Sequence, residues 1–240
     1  MNRRVENEWL DHLPPADPRA IGSRRDLRRL NAWMGNAAIL SAQLASFRED
    51  LTPAHLLELG AGDGDLLSQV ARRLGACWRG TRAILLDRCN LLGARAADTF
   101  RMAGWDVQVA TTEVFDWYQG APMNPSGIVM ANLFLHHFEF KSLALLFKAV
   151  SQQCTHFVAL EPCRSHLALV FSRLVGLIGC NDVTRHDAPV SVRAGFAGTE
   201  LSRLWPDEDR WLLREHRAGP FGHLFVARRA NKCCHERQRA

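Results

Sequence analysis

The chain has 240 residues, 47% of them hydrophobic and 23% charged, with a net charge of +5. That is long enough for one well-buried domain with an added element, in an ordinary globular balance. No window reaches the uncharged apolar length of a membrane span, and the start, MNRRVENEWLDHLPP, has no apolar core behind its basic residues, so no secretory signal and a cytoplasmic location are expected.

Seven cysteines fall at irregular spacing without a CxxC pair, which argues against a disulfide framework or a structural zinc site; no metal is expected. Arg24, Arg25, Arg28 and Arg29 cluster near the N-terminus. Such a cluster can hold nucleic acid or an acidic membrane surface, or can simply be a solvated helix face.

Residues 1–23 have no clear periodicity and read as an arm. Leu27, Leu30, Met34, Ala37 and Leu44 then recur at helical spacing, with Ser23 and Asp26 as a capping pattern and Gly35-Asn36 as a break. One or two helices are expected over 23–49, making residues 1–50 an arm and a helical cap. From residue 54 short apolar runs alternate with longer helical stretches, the signature of βα units and a parallel sheet. Strands are predicted at 55–60, 82–87, 105–111, 126–135 and 156–162. Helices are predicted at 64–74, 90–104, 141–154 and 165–178. Residues 179–200 read as a long polar-and-glycine segment, with a helix near 199–205. The end differs, because 209–218 and 222–230 are two strands joined across GPFG with no helix between them, hence an antiparallel hairpin. Residues 230–240 read as a disordered tail, which leaves 51–229 as the main domain.

The most informative stretch is LLELGAGDGDLL, residues 56–67. Gly60, Gly62 and Gly64 lie where the first strand becomes a helix, and glycine there permits a tight turn and close approach of a ligand. The helix start offers free N–H groups to a carboxylate or phosphate. Asp87 ends the second strand, 23 residues beyond Gly64, where a carboxylate can accept from both hydroxyls of a ribose or can merely close the strand-end turn. An adenosine-type cofactor follows. A nicotinamide or flavin loop, GxGxxG, would need glycine at 65, where the chain has Asp65. Glu58, just before the loop, suits a cationic amino group and would repel a pyrophosphate.

With these residues the chain resembles the class I S-adenosylmethionine-dependent methyltransferases, of the small-molecule, quinone-biosynthesis type. The resemblance covers roughly 54–229. It implies an α/β fold: a Rossmann-like seven-stranded, mostly parallel sheet with an antiparallel C-terminal hairpin and helices on both faces. It implies S-adenosyl-L-methionine as cofactor. Glu58, Gly60, Ala61, Gly62 and Gly64 match the first motif, and Asp87, with Arg88 beside it, the ribose position. Glu113 and Val114 fit the acid and apolar residue at the adenine, with Asp116 a rival acid. Asn132 and Leu133, in ANLFLHHF, fall in the fourth motif; the Asn132 amide could also just close its strand.

A sulfonium methyl is already activated, so a base is needed only where the acceptor must lose a proton. His136 and His137, after the fourth strand, are candidate bases or else helix caps. In this family insertions after strand five often cover the substrate, so Asn181, Thr184, Arg185, His186, Asp187, Ser191 and Arg193 are either pocket residues or a solvated lid. His186 beside Asp187 suggests a third base with its orienter, although neighbours on one strand point to opposite faces. Trp33, Met34, Leu30 and Phe47 supply apolar wall, as does the helix from 165. Such a cavity suits a small or lipid-like aromatic substrate. Asn132 is followed by Leu133 and not by a Pro-Pro-aromatic run, which argues against a nucleic-acid base as acceptor, and the paired acids for protein arginine are missing. The leading expectation is O- or C-methylation of a small aromatic, polyketide- or quinone-like molecule. An RNA methyltransferase and a non-catalytic cofactor-binding regulatory module are the alternatives.

Overall fold

In the computed structural model, which describes residues 1–47, 55–120 and 127–230, seven strands form one sheet. They are β1 (His55–Leu59), β2 (Arg82–Asp87), β3 (Asp106–Thr111), β4 (Ile128–Asn132), β5 (His156–Pro162), β6 (Trp211–Ala218) and β7 (Gly222–Arg229). Their order is β3-β2-β1-β4-β5-β7-β6. β1 to β5 run parallel, and β7 lies antiparallel to both β5 and β6. The order reverses at β1, which pairs with β2 on one side and β4 on the other. In open α/β sheets that reversal opens a crevice at the carboxyl ends of the strands.

The central strands are apolar because both their faces are covered. β5 (HFVALEP) is buried along its whole length. Leu56, Met130 and Val158 face one layer, with Leu40, Leu44, Leu67 and Phe100. Leu59, Val129 and Phe157 face the other, with Leu143, Phe147 and Trp205. The helices are α1 (Pro18–Met34), α2 (Asn36–Ala45), α3 (Asp65–Leu74), α4 (Ala94–Ala103), α5 (Val114–Gly120), α6 (Phe140–Gln153), α7 (His166–Arg173) and α8 (Asp182–Ala194). Among the described residues, no helix is long and apolar enough to cross a membrane.

The N-terminal helix begins at Pro18, not Ser23. Asp17 caps it by accepting from Arg19 N at 2.8 Å, and proline at the first helical position needs no N–H partner. Ser23 and Asp26 are interior and buried, facing α8. Gly35, at φ 73°, separates α1 from α2 as expected. α5 was not foreseen. The apolar run after β5 is split into α7 and a 3-10 turn, Val175–Ile178.

The larger correction is α8. Most of the supposed connector is a helix of 13 residues, capped by Asn181, which accepts from Thr184 N at 2.9 Å. Its polar side chains hid the helix because they bind other elements of the protein. Thr184 Oγ1 donates to Ser23, and Asp26 Oδ2 accepts from Asn181 N at 2.8 Å. Near 199–205 there is only a 3-10 turn, Ser202–Leu204. Phe47 packs on His156, at the opposite end of β5 from the cavity, with centroids 4.4 Å apart. The expected tail beyond residue 230, and the first residue of the longer predicted fourth strand, Ser126, lie outside the described residues.

The buried Asp26 joins α1 to the start of α8, so Asp26→Ala leaves the part-buried Asn181 N–H without its partner. A buried donor without a partner costs about 1–3 kcal/mol. Urea denaturation should show a loss of that size, and Asp26→Asn, which keeps an acceptor, should lose less.

Candidate active site

A cavity of about 1170 Å³ opens at the carboxyl ends of β1, β2, β4 and β5, roofed by α1, α7 and the arm. Its floor is the turn from β1 to α3. Gly60 N and Ala61 N donate to Leu86 O at 2.9 and 3.1 Å, and Gly62 N donates to Asp87 Oδ2 at 2.9 Å. Asp87 Oδ1 accepts from Cys89 N at 3.1 Å. The turn therefore hangs on the end of β2. Gly60 has φ 66° and a Cβ there would lie 2.3 Å from Phe134, so no other residue fits. Gly62 has φ 56° and open space where its Cβ would be, which leaves the backbone accessible to a ligand. Gly64 packs on Leu92 behind the turn and does not line the cavity.

Glu58 reaches this floor from β1, is fully buried, and its Oε2 has no hydrogen-bond partner among the described residues. Burial, then the charges of Asp87 and Asp63, push its pKa well above the usual carboxylate range. A buried carboxylate without a partner is costly, and a cationic group entering from the cavity would satisfy it.

The opposite wall is the loop after β4. Leu133 takes the rare φ of 51° for a side chain. Glu161 holds this loop: Oε1 accepts from Phe134 N and Leu135 N at 3.0 and 2.9 Å, and Oε2 from His136 N at 3.3 Å and His136 Nδ1 at 2.8 Å. The arm closes on the other side. Glu8 Oε1 lies 3.3 Å from His136 Nε2 and also accepts from Ser191 Oγ. Arg3 donates to Ala194 O, His136 O and Phe138 O at 2.7, 3.2 and 2.8 Å. Burial alone would lower the pKa of His136, but hydrogen bonds and charge from Glu161 and Glu8 raise it to about 9.

His137 is different. It is partly exposed, with Nδ1 3.2 Å from Asp11 Oδ2. An ionised carboxylate only accepts, so Nδ1 is the donor in this contact, and Nε2 is the ring nitrogen turned away from Asp11. Burial would raise the Asp11 pKa, but His137 and Arg88 hold it low. Arg88 donates to Asp11 Oδ1 at 3.0 Å and reaches Glu113 at 4.0 Å.

The structure brings Glu58, Gly60, Ala61, Gly62, Asp87, Arg88, Glu113, Val114, Asn132 and Leu133 to one cavity, with His136, His137, Trp33, Met34 and Ser191. It places Asn181, Thr184, Arg185, His186 and Asp187 outside the cavity lining. His186 Nδ1 touches Asp187 Oδ1 at 2.8 Å, and the pair is on a helix and not a strand. Asp187 also accepts from Trp9 N and Leu10 N, and His186 stacks on Trp9 at 4.0 Å, so the pair anchors the arm. The Asn132 amide oxygen accepts from Asn36 at 3.3 Å. Glu161, Glu8 and Asp11 were missed. Glu161 had a signal, a lone carboxylate in the apolar run HFVALEP, as Glu58 is in HLLEL. Ligand atoms of Glu8, His136 and His137 lie within 4.8 Å of one another and could gather round a cation, which would first have to displace the proton of His136.

No family model matches this sequence, and no curated protein matches it. The structure is similar to the plantazolicin methyltransferase BpumL in complex with SAH, with a TM-score of 0.62 and 10% identity over 90% of this chain and 92% of that one. It is similar to the pyocyanin biosynthetic protein PhzM, with a TM-score of 0.54 and 18% identity over 92% of this chain and 61% of that one. An O-methyltransferase family protein from Burkholderia thailandensis gives a TM-score of 0.51 and 16% identity over 84% of this chain and 60% of that one. The chain therefore has the fold of the class I S-adenosylmethionine-dependent methyltransferases.

His136 is held above its ordinary value of 6.5, so its stabilisation is complete below 6.5 and is lost as pH rises through about 9. Thermal melts across that window should show the midpoint falling. His136→Gln, which does not titrate, should flatten the profile; an unchanged parent midpoint across the window contradicts the assignment.

Proposed function

We propose that this protein is a cytoplasmic enzyme that transfers a methyl group from S-adenosylmethionine to an oxygen or carbon of a small, apolar aromatic, polyketide- or quinone-like acceptor. The observation that carries this reading is Glu58, an unpartnered buried carboxylate above an open glycine turn. Its free oxygen fits the cationic amino group of that cofactor and no part of a pyrophosphate. Asp87 spends one bond per oxygen on the turn, and a carboxylate has about four acceptor positions, so it retains capacity for ribose hydroxyls. Arg88, Glu113 and Val114 border the adenine end, and the backbone of Asn132 and Leu133 the sulfur end. The fold neighbours include enzymes named for natural products, plantazolicin and pyocyanin, which supports a small acceptor.

When bound, the cofactor supplies a methyl group already activated on a sulfonium. The chain supplies position and a proton acceptor. Holding donor and acceptor in line can remove about 7–11 kcal/mol of the barrier. Leu27, Leu30, Met34, Phe134 and Phe138 give the acceptor an apolar bed. His137 Nε2 takes the proton of a phenol or carbon acid, and Asp11 stabilises the imidazolium that forms. His136 already carries its proton between two carboxylates, so its role is to hold the loop after β4 and the arm together.

Calorimetry with S-adenosylhomocysteine should show Glu58→Gln binding at least ~10-fold more weakly, the cost of one charge-assisted contact; affinity equal to the parent defeats the cofactor assignment. With labelled cofactor and a panel of phenols, Asp11→Asn should lower kcat by about 10²-fold or more with little change in KM. A proportional rise in KM would instead make Asp11 a substrate contact.

A further inference from the structure

The segment from α7 through the turn Val175–Ile178 is apolar on the wrong side for a core helix. Ala168, Ser172 and Val175 face inward, while Leu167, Val170, Phe171, Leu174, Leu177 and Ile178 are exposed, Leu177 by 83%. The patch continues through rings: Phe171 meets Phe221 at 5.3 Å, and Phe221 meets Trp33, itself 64% exposed, at 5.3 Å. Phe171, Leu174, Leu177, Ile178 and Trp33 also line the large cavity, so the patch is the rim of its mouth. An exposed contiguous apolar surface of this kind marks an interaction site.

A second concavity, of about 450 Å³, lies between α1, α3 and α4. Arg25, Arg28 and Arg29 of α1, Arg72 of α3 and Arg95 of α4 line it, against one acid, Asp65, which accepts from Gln69. Arg28 pairs with Asp63 and Arg29 with Asp26. Arg25, Arg72 and Arg95 form no ion pair among the described residues. Arg29 Nη2 also donates to Ile178 O at 2.8 Å, which ties the basic concavity to the tip of the apolar segment. The two surfaces are neighbours on one side of the molecule.

We propose that this face docks on an anionic lipid bilayer with the cavity mouth turned towards it. The apolar rim enters the acyl boundary, and the guanidinium groups, which suit phosphate geometry, bind headgroups. A second copy of the chain would cover the rim and leave the arginines unneutralised. RNA would engage the arginines and leave the rim in water. A bilayer answers both. An amphiphilic acceptor then passes from lipid into the cavity without crossing water. The docking is a statement about the surface alone and stands whether or not Glu58 binds an amino-acid end.

The test is co-sedimentation of the full chain with phosphatidylcholine vesicles, with and without phosphatidylglycerol. Binding should be at least ~10-fold tighter to the anionic vesicles and should weaken in high salt. Leu177→Glu with Ile178→Glu should abolish it. Arg72→Glu with Arg95→Glu should remove the preference for phosphatidylglycerol while leaving residual binding. These side chains are exposed, and unfolding curves matching the parent will establish that the variants fold. Absent binding, equal binding to neutral vesicles, or binding unaffected by both variants overturns the proposal. So does a dimer that the Leu177→Glu, Ile178→Glu pair dissociates, or RNA binding that only the arginine pair removes, if vesicle binding is absent.

Discussion

A buried carboxylate that accepts from three successive backbone N–H groups and from a histidine ring leaves those groups nowhere else to go. Glu161 is in that position, itself 1% exposed, so losing it would leave buried donors unpaired. It fixes the turn after β4, including the left-handed Leu133, and it presents His136 to the arm. Because His136 is protonated, Glu8 can be buried as an anion opposite it, and Glu8 in turn holds Ser191 of α8. One strand-end residue thereby sets the loop, the arm and α8.

Glu58 is its counterpart. Both carboxylates sit near the carboxyl ends of parallel strands and both are buried, yet one is saturated with donors and the other has a free oxygen. The first builds the site, and the second is the carboxylate on which the proposed cofactor assignment rests. Their difference comes from the loops they face. The turn after β4 folds back so that its N–H groups point at β5. The glycine turn after β1 aims its N–H groups at the end of β2, away from Glu58. The raised pKa of Glu58 follows from the same geometry, since burial and the nearby charges of Asp87 and Asp63 act on it and its Oε2 has no hydrogen-bond partner among the described residues.

The sheet was legible because its signals are local. Apolar runs bounded by turn residues located β2 and β5 to the residue, and the shift from alternating helices to a bare hairpin located the antiparallel end. The glycine spacing and Asp87 placed one half of the cavity. The other half was hidden for physical reasons. α8 is polar because Asn181, Thr184 and Asp187 serve α1 and the arm, and a sequence does not distinguish a side chain satisfied by water from one satisfied by a distant helix. The arm has no periodicity to read, and its bonds span the chain: Glu8 meets a histidine 128 residues away. The break at Gly35-Asn36 was visible, but the start of the helix at Pro18 and the reach of Asp11 to His137 were not.

The arm carries a further consequence. Groups suited to the methyl donor come from residues 58–133, the sheet and its turns, whereas Glu8, Asp11, Trp33 and Met34 come from the first 34 residues. The two sets of groups come from separate stretches of the chain and meet at one cavity. Under the proposed function, substitutions at Trp33 or Met34 would change the acceptor's surroundings, whereas one at Asp11 would also reach the donor side through Arg88.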